Sequence, residues 1–324
     1  MARDSDLDLA RKMATEGRLE AAAAAYRRHL RADPASFEGH FEFGRVLIAQ
    51  RNLDEARHHL ATAVELRPES APAHARFAQA LVLLSDLKAA ERQLVKALAI
   101  DPSLPSARFN LGRIYELQNR SEEALHQYLS FLRLAPDDHR ATGIRARVGL
   151  YYENTQQLDA AIAQYREILK RAPEDVHAIY ALAGIHYRRA QYAEALPEYQ
   201  HVLRLDPDNW GAHANVGFIY RLRGKLDQAI RQYTRAVELH PQSIDSLFFL
   251  GTLYAEQKKD DLALQQFQKV LRLQADHPLV HYAIGKIYAR RGDKEAARRE
   301  FTLHRKIQAS ERAKGRTASS MSVH

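Results

Sequence analysis

Between residues 210 and 243 apolar side chains recur at intervals of three and four, in two runs separated by Gly224 and closed by Pro241. That spacing places each apolar set on one face of a helix and predicts two amphipathic helices joined by a short turn. Size is patterned as well as polarity. Small residues stand at Gly217 and Ala229, and large ones at Val216, Tyr220 and Tyr233. Two helices approach closely only where neither carries a bulky side chain, with larger groups filling the space on either side. The stretch predicts a helical hairpin.

The rest of the chain repeats it. Pro34, Pro68, Pro102, Pro136, Pro173, Pro207 and Pro241 are spaced 34, 34, 34, 37, 34 and 34. In that register units open at Arg3, Phe37, Ala71, Pro105, Thr142, Val176, Trp210, Ile244 and Pro278. Position 8 is Gly or Ala in every unit, from Ala10 through Gly149 to Gly285. Position 20 is always Ala, from Ala22 to Ala297, and position 24 is always large, from Tyr26 to Phe301. A fixed period of this length decides the architecture. On these residues the chain resembles the tetratricopeptide repeat family over nearly its whole length. The resemblance implies an all-α, right-handed superhelical α-solenoid of about nine 34-residue helix-turn-helix repeats.

The expected organisation is units 1–4 over 3–138, an insert at 139–141, units 5–9 over 142–311, and a basic, disordered tail over 312–324. The insert, His139 to Ala141, reads as a joint that lengthens the following helix or loosens the turn. Pro72, Pro105 and Pro278 fall in the first turn of a first helix, where a missing N–H costs little. Pro197, about a turn inside a second helix, is expected to kink it. Asp4, Asp6 and Asp8 give the first unit a water-facing outer end.

Composition alters this picture little. Hydrophobic residues make up 46% and charged residues 27% of the 324, an ordinary balance for a helical protein outside the membrane. No apolar run reaches the length of a membrane span and the N-terminus has no signal-peptide core, so cytoplasm is the default expectation. The absence of cysteine removes disulfides and thiolate metal sites.

Charge is unevenly placed. The chain carries +8, of which residues 278–324, with eleven Lys or Arg and four Asp or Glu, supply +7. Arg298, Arg299, Arg305 and Lys306 form the centre of this basic end. It reads either as a solubilising cap on an exposed solenoid end or as a landing site for an acidic protein, nucleic acid or anionic surface.

Candidate chemistry is sparse. No Gly-rich phosphate loop, nucleophile elbow or His-Glu-x-x-His motif is present, and no cofactor is implied. Of sixteen histidines, His40, His74, His213 and His281 share position 4 and follow the repeat register. Only His277 and His281 have metal-like spacing, and Pro278 puts the first outside the helix.

The resemblance implies instead that first helices line a binding groove through positions 2, 5, 9, 12 and 13. Position 9 supplies Arg11, Arg45 and Arg113. Position 5 supplies Phe41, Phe109, Tyr180 and Phe248, position 12 adds Tyr187 and Arg221, and position 9 of unit 7 adds Phe218. Arginine forks match carboxylates and rigid rings bury area at low entropic cost, so both favour a peptide. The alternative for the rings is packing between successive first helices. The chaperone-tail clamp of the family is incomplete: its nearest trace is Gln79, Asn110 and Arg147, with Ala75 and Gly143 replacing its lysines. The asparagine ladder of the glycosyltransferase repeats is reduced to Asn110 and Asn215. The expected role is a non-enzymatic scaffold or adaptor for a protein or peptide. A nucleic-acid or anionic-surface binder, or a homo-oligomer assembling end to end, are the alternatives.

Overall fold

A computed structural model describes residues 2–321. Among them the secondary structure is entirely helical. The first four units hold α1 (Ala2–Thr15) and α2 (Leu19–Ala32), α3 (Phe37–Ala49) and α4 (Leu53–Leu66), α5 (Ala71–Leu83) and α6 (Leu87–Ile100), and α7 (Pro105–Leu117) and α8 (Ser121–Leu134). Next come α9 (Ala141–Asn154) and α10 (Leu158–Arg171), α11 (Val176–Arg188) and α12 (Tyr192–Leu205), and α13 (Trp210–Leu222) and α14 (Leu226–Leu239). The last two pairs are α15 (Ile244–Glu256) with α16 (Asp260–Leu273), and α17 (Pro278–Arg290) with α18 (Lys294–Met321). Seven first helices begin at the residue that opens their repeat unit.

The hairpins close as the pattern of small and large residues requires. A Cβ on Gly44 would lie 2.5 Å from Leu60, one on Gly112 2.6 Å from Tyr128, and one on Gly251 2.7 Å from Phe267. Ala22, Ala56, Ala90, Ala229 and Ala263 at position 20 are completely buried. Caps fix the helix starts. Ser36, Ser70, Asp175, Asn209 and Ser243 each accept a hydrogen bond from the backbone N–H three residues on, satisfying a donor the helix leaves free.

In units 2, 3, 4, 7 and 9 the position-4 side chain fastens the unit to the loop before it. Nε2 of His74 lies 2.9 Å from the Pro68 carbonyl while Nδ1 lies 2.6 Å from the side-chain amide of Gln93 on α6. His213 makes the same two contacts with Pro207 and Gln232, and His281 with Ala275 and Glu300. Arg108 substitutes in unit 4, donating to the Pro102 carbonyl and to Gln127. In these units one polar side chain thus ties the preceding loop to the second helix, while Ile179 and Leu247 hold the position in units 6 and 8. This accounts for the histidine register structurally, and among the described residues no group of three or more His, Cys, Asp or Glu could hold a metal. His277 serves as the cap of α17.

The chain divides into two compact units, Met1–Gln164 and Tyr165–His324, with the boundary inside α10. The insert is ordered by its own chemistry. Arg140 donates to both carboxylate oxygens of Asp138, at 2.8 and 2.7 Å, and holds that acid well below the usual carboxylate range. Its guanidinium then lies 4.5 Å from the Phe109 ring and 5.3 Å from Phe131. Ala141 joins α9, which has 14 residues against the 13 of α7 and α11. Tyr192–Leu205 is one continuous helix through Pro197. Residues 312–321, expected as a disordered tail, continue α18 as far as Met321. Alanine, arginine and lysine there favour helix; residues 322–324 lie outside the described ones.

Candidate functional site

Each compact unit has a cleft lined mainly by odd-numbered helices. In the first, a cleft of about 680 Å³ lies over α1, α3 and α5. Arg11, Arg45 and Arg76 line it together with Glu42 and Gln79, and Ala14, Leu19, Val46 and Ala49 supply an apolar wall. Arg11 lies 3.7 Å from Asp8, and Arg45 pairs with Glu42 at 2.7 Å. Arg76 donates to the neutral Gln79 at 2.9 Å. Burial and the neighbouring Arg45 charge both lower its affinity for its proton. At the base of the cleft Tyr26 is buried, and its hydroxyl is pushed up to about 12, by burial first and by Glu42 second.

The second unit has a smaller cleft of about 270 Å³, walled by Tyr180, Tyr187, Trp210, Phe218 and Phe249. Tyr187 meets Phe218 at 5.3 Å and Tyr192 at 5.6 Å, both edge to face, and Phe218 meets Phe249 at 6.1 Å. Such a geometry sets the positive edge of one ring against the face of the next. Arg221 lies over Phe218 at 5.5 Å and Phe249 at 4.9 Å. Tyr180 bonds Asn215 and fits beneath Gly211, where a Cβ would lie 2.6 Å from its hydroxyl. Burial pushes Tyr187 up to about 12. The hydroxyl of Tyr233, a cleft-lining residue that is 1% exposed, has no hydrogen-bond partner, and neither has Nε of Arg221. A buried hydroxyl left unpaired costs about 1–3 kcal/mol.

Five of the ten expected groove residues therefore line clefts: Arg11, Arg45, Tyr180, Tyr187 and Phe218. Arg221 sits behind the second cleft, on its rings. The remaining four are engaged elsewhere. Phe41 is half-buried and stacks on Phe37 at 5.7 Å. Phe109 lies between Arg113 and the insert's Arg140 and packs towards Phe131 at 5.7 Å. Phe248 stacks on His277 at 5.4 Å. Position 5 is divided: Tyr180 lines a cleft, Phe41 stacks along its own helix, and Phe109 and Phe248 pack against Phe131 and His277. What the spacing rule missed is position 6, which supplies Arg76, Asn215 and Phe249 to the clefts. Trp210 at position 1 was also missed; it is 44% exposed and stacks on His240 at 4.6 Å.

The basic end lies on α18. Arg298, Arg299, Arg305 and Lys306 are exposed, and Arg299 has a long contact of 3.9 Å with Glu295. No helix among the described residues is long and apolar enough to cross a membrane.

Comparison with known proteins agrees with this architecture. One tetratricopeptide repeat family model matches residues 76–139, 147–210 and 261–310, more than half of the chain. Two further tetratricopeptide repeat models match 13–81 and 211–276. No curated protein matches the sequence significantly. Among solved structures, the C-terminal part of a TPR repeat-containing protein from Cytophaga hutchinsonii is 16% identical with a TM-score of 0.59. That match covers 75% of this chain and 99% of that one. MamA from Desulfovibrio magneticus RS-1 is 23% identical, covering 53% and 96%, with a TM-score of 0.47. At 16% identity the likeness to the Cytophaga hutchinsonii structure shows the fold alone.

Proposed function

The chain belongs to the tetratricopeptide repeat family, and from that premise we propose that it is a non-enzymatic interaction scaffold. It binds a peptide or protein segment along the faces of its odd-numbered helices. The observation that carries this reading is the aromatic cleft of α11, α13 and α15. Five rings line one concavity beside a buried tyrosine hydroxyl that no protein group satisfies. Hairpin packing requires only the small residues at 8 and 20 and the large one at 24. Rings left lining a cleft beyond that requirement favour a binding surface, because rigid aromatics anchor partners at low entropic cost.

The test is site-specific photo-crosslinking in the native host, with a photoreactive phenylalanine placed at Trp210 or Phe218, or at Val95 as an exposed control on α6. A partner captured at the first two positions and not at Val95 is expected. Trp210→Ala should then weaken that partner by about 1 kcal/mol or more. It should leave the melting temperature nearly unchanged, since Trp210 is exposed and stacks on a single ring. Equal capture at all three positions would remove the cleft from consideration.

A further inference from the structure

We propose that the cleft over α1, α3 and α5 is a receptor for an acidic peptide segment, taking a carboxylate at Arg76 and Arg45 and an adjacent apolar side chain on the wall behind them. This deepens the scaffold reading and rests on it. Three guanidinium groups line one concavity of about 680 Å³ with Glu42 as the single carboxylate among its lining residues. The three are not equivalent. Arg11 and Arg45 each have an acid on their own helix, Asp8 and Glu42. Arg76 donates to the neutral oxygen of Gln79; Arg45 repels it, and its one attractive charge, Glu42, is already bonded to Arg45. A guanidinium in that position gains more from an incoming carboxylate than one already paired, because the new bonds are charge-assisted and relieve like-charge repulsion. The planar fork also selects a two-oxygen acceptor over a point charge.

The rest of the lining narrows the ligand class. Ala14, Leu19, Val46 and Ala49 form one side of the same cleft. A nucleic-acid backbone carries phosphate after phosphate and has no apolar group to place there. A peptide that alternates acidic and apolar side chains satisfies both walls at once.

The probe is a fluorescein-labelled, N-acetylated peptide of sequence Gly-Glu-Glu-Leu-Glu-Glu-Leu-Gly, read by fluorescence anisotropy with the full chain. Each peptide is made with an amidated and with a free C-terminus. Replacing its glutamates by glutamine should weaken binding tenfold or more, and replacing its leucines by serine should weaken it severalfold. Arg76→Gln should reproduce the tenfold loss. Arg92→Gln, an exposed arginine on α6 outside the cleft, should not. Glu42→Gln should tighten the acidic peptide, since it removes the carboxylate that competes for Arg45, an effect that a purely structural role would not produce. Binding that requires the free C-terminus assigns the captured carboxylate to a chain end; binding by both forms assigns it to side chains. Equal affinity for the glutamate and glutamine peptides, or wild-type affinity in Arg76→Gln, overturns the proposal. So does an oligothymidylate of equal charge that outcompetes the peptide in an Arg76-dependent way. A partner still captured at Trp210 in the Arg76→Gln chain would leave the scaffold reading standing while this one fails.

Discussion

A methyl group on Gly251 would sit 2.7 Å from the Phe267 ring, on Gly217 3.1 Å from Tyr233, and on Gly184 3.8 Å from the Tyr199 hydroxyl. These distances rank the substitutions. Gly251→Ala pushes a fully buried ring and should cost about 1–3 kcal/mol by overpacking. Gly217→Ala falls lower in that range, whereas Gly217→Leu or Ala229→Leu reaches its top. Gly184→Ala meets only ordinary contact and replaces a glycine inside a helix, so it should stabilise by up to about 1 kcal/mol. Urea denaturation of the three alanine variants gives the order; a destabilised Gly184→Ala with an unaffected Gly251→Ala would contradict it. The same scale holds a pH response. Nδ1 of His59 lies 2.8 Å from Nδ1 of His40, and His58 packs beside it. Burial first, then the neighbouring histidines, lowers His59 to about 4 from its ordinary 6.5. The folded state therefore resists a proton that the unfolded chain accepts. Its contribution is complete above pH 6.5 and is lost progressively as pH falls toward 4, on the order of 2–3 kcal/mol. Unfolding free energies at pH 7.5 and 4.5 should converge in His59→Gln relative to wild type. An unchanged pH slope would show that His59 titrates normally.

The helices are joined by a turn whose geometry is more regular than its sequence. Position 15 has positive φ in all nine units: Gly17, Gly224 and Gly292, and also Arg51, Ser85, Asn119, Gln156, Ala190 and Lys258. The hydrogen bonds repeat with it, as in Gly224 N–H to the Arg221 carbonyl and Lys225 N–H to the Tyr220 carbonyl, closing the helix end. A side chain in this left-handed region costs about 1–2 kcal/mol, part of which glycine returns through the entropy of the unfolded chain. Ala190→Gly and Lys258→Gly should each stabilise by about 0.5–1 kcal/mol, and Gly224→Ala should destabilise by about 1 kcal/mol, all measurable by urea titration. A loss of stability in both glycine variants would rule out the left-handed turn. The prolines and the alternation of small and large residues made the hairpins legible in the sequence, because sterics at a helix crossing tolerate few residue types. The turn was legible only at its three glycines, since six other residues bear the strain without announcing it. The insert read only as a joint because Arg140 appears as no more than a charge in sequence, and its stacking on Phe109 depends on a fold that brings α7 alongside. The clefts were half legible for a related reason. Positions 9 and 12 bring Arg11, Arg45, Phe218 and Tyr187 to them but leave out Arg113 and Arg221, and position 6 carries Arg76, Asn215 and Phe249, whose chemistry shares no residue type and so leaves no periodic trace.

At the scale of the whole chain the distribution of charge matters more than its sum. Residues 278–324 carry +7 of the net +8, which leaves +1 for residues 1–277. Arg298, Arg299, Arg305 and Lys306 are exposed on α18, where Arg299 has a long contact with Glu295 and Arg305 donates to the Phe301 carbonyl at 3.4 Å. Changing these four to glutamate removes eight charges and brings the chain to net zero. Changing Arg92, Arg166, Arg204 and Arg231 to glutamate does the same, since all four are exposed and lie outside the basic end. The two variants have equal net charge and differ only in where it is lost. If the chain meets polyanions through α18, affinity depends on how many phosphate- or sulfate-paired cations act together, and it falls steeply with salt. The α18 variant should then elute from immobilised heparin at much lower salt than wild type, while the scattered variant stays close to it. Both should keep the wild-type helical content, because exposed charges contribute little to stability. Equal loss of retention in the two variants would make net charge the determinant, and the end of the chain would then act as a charged cap with no site of its own.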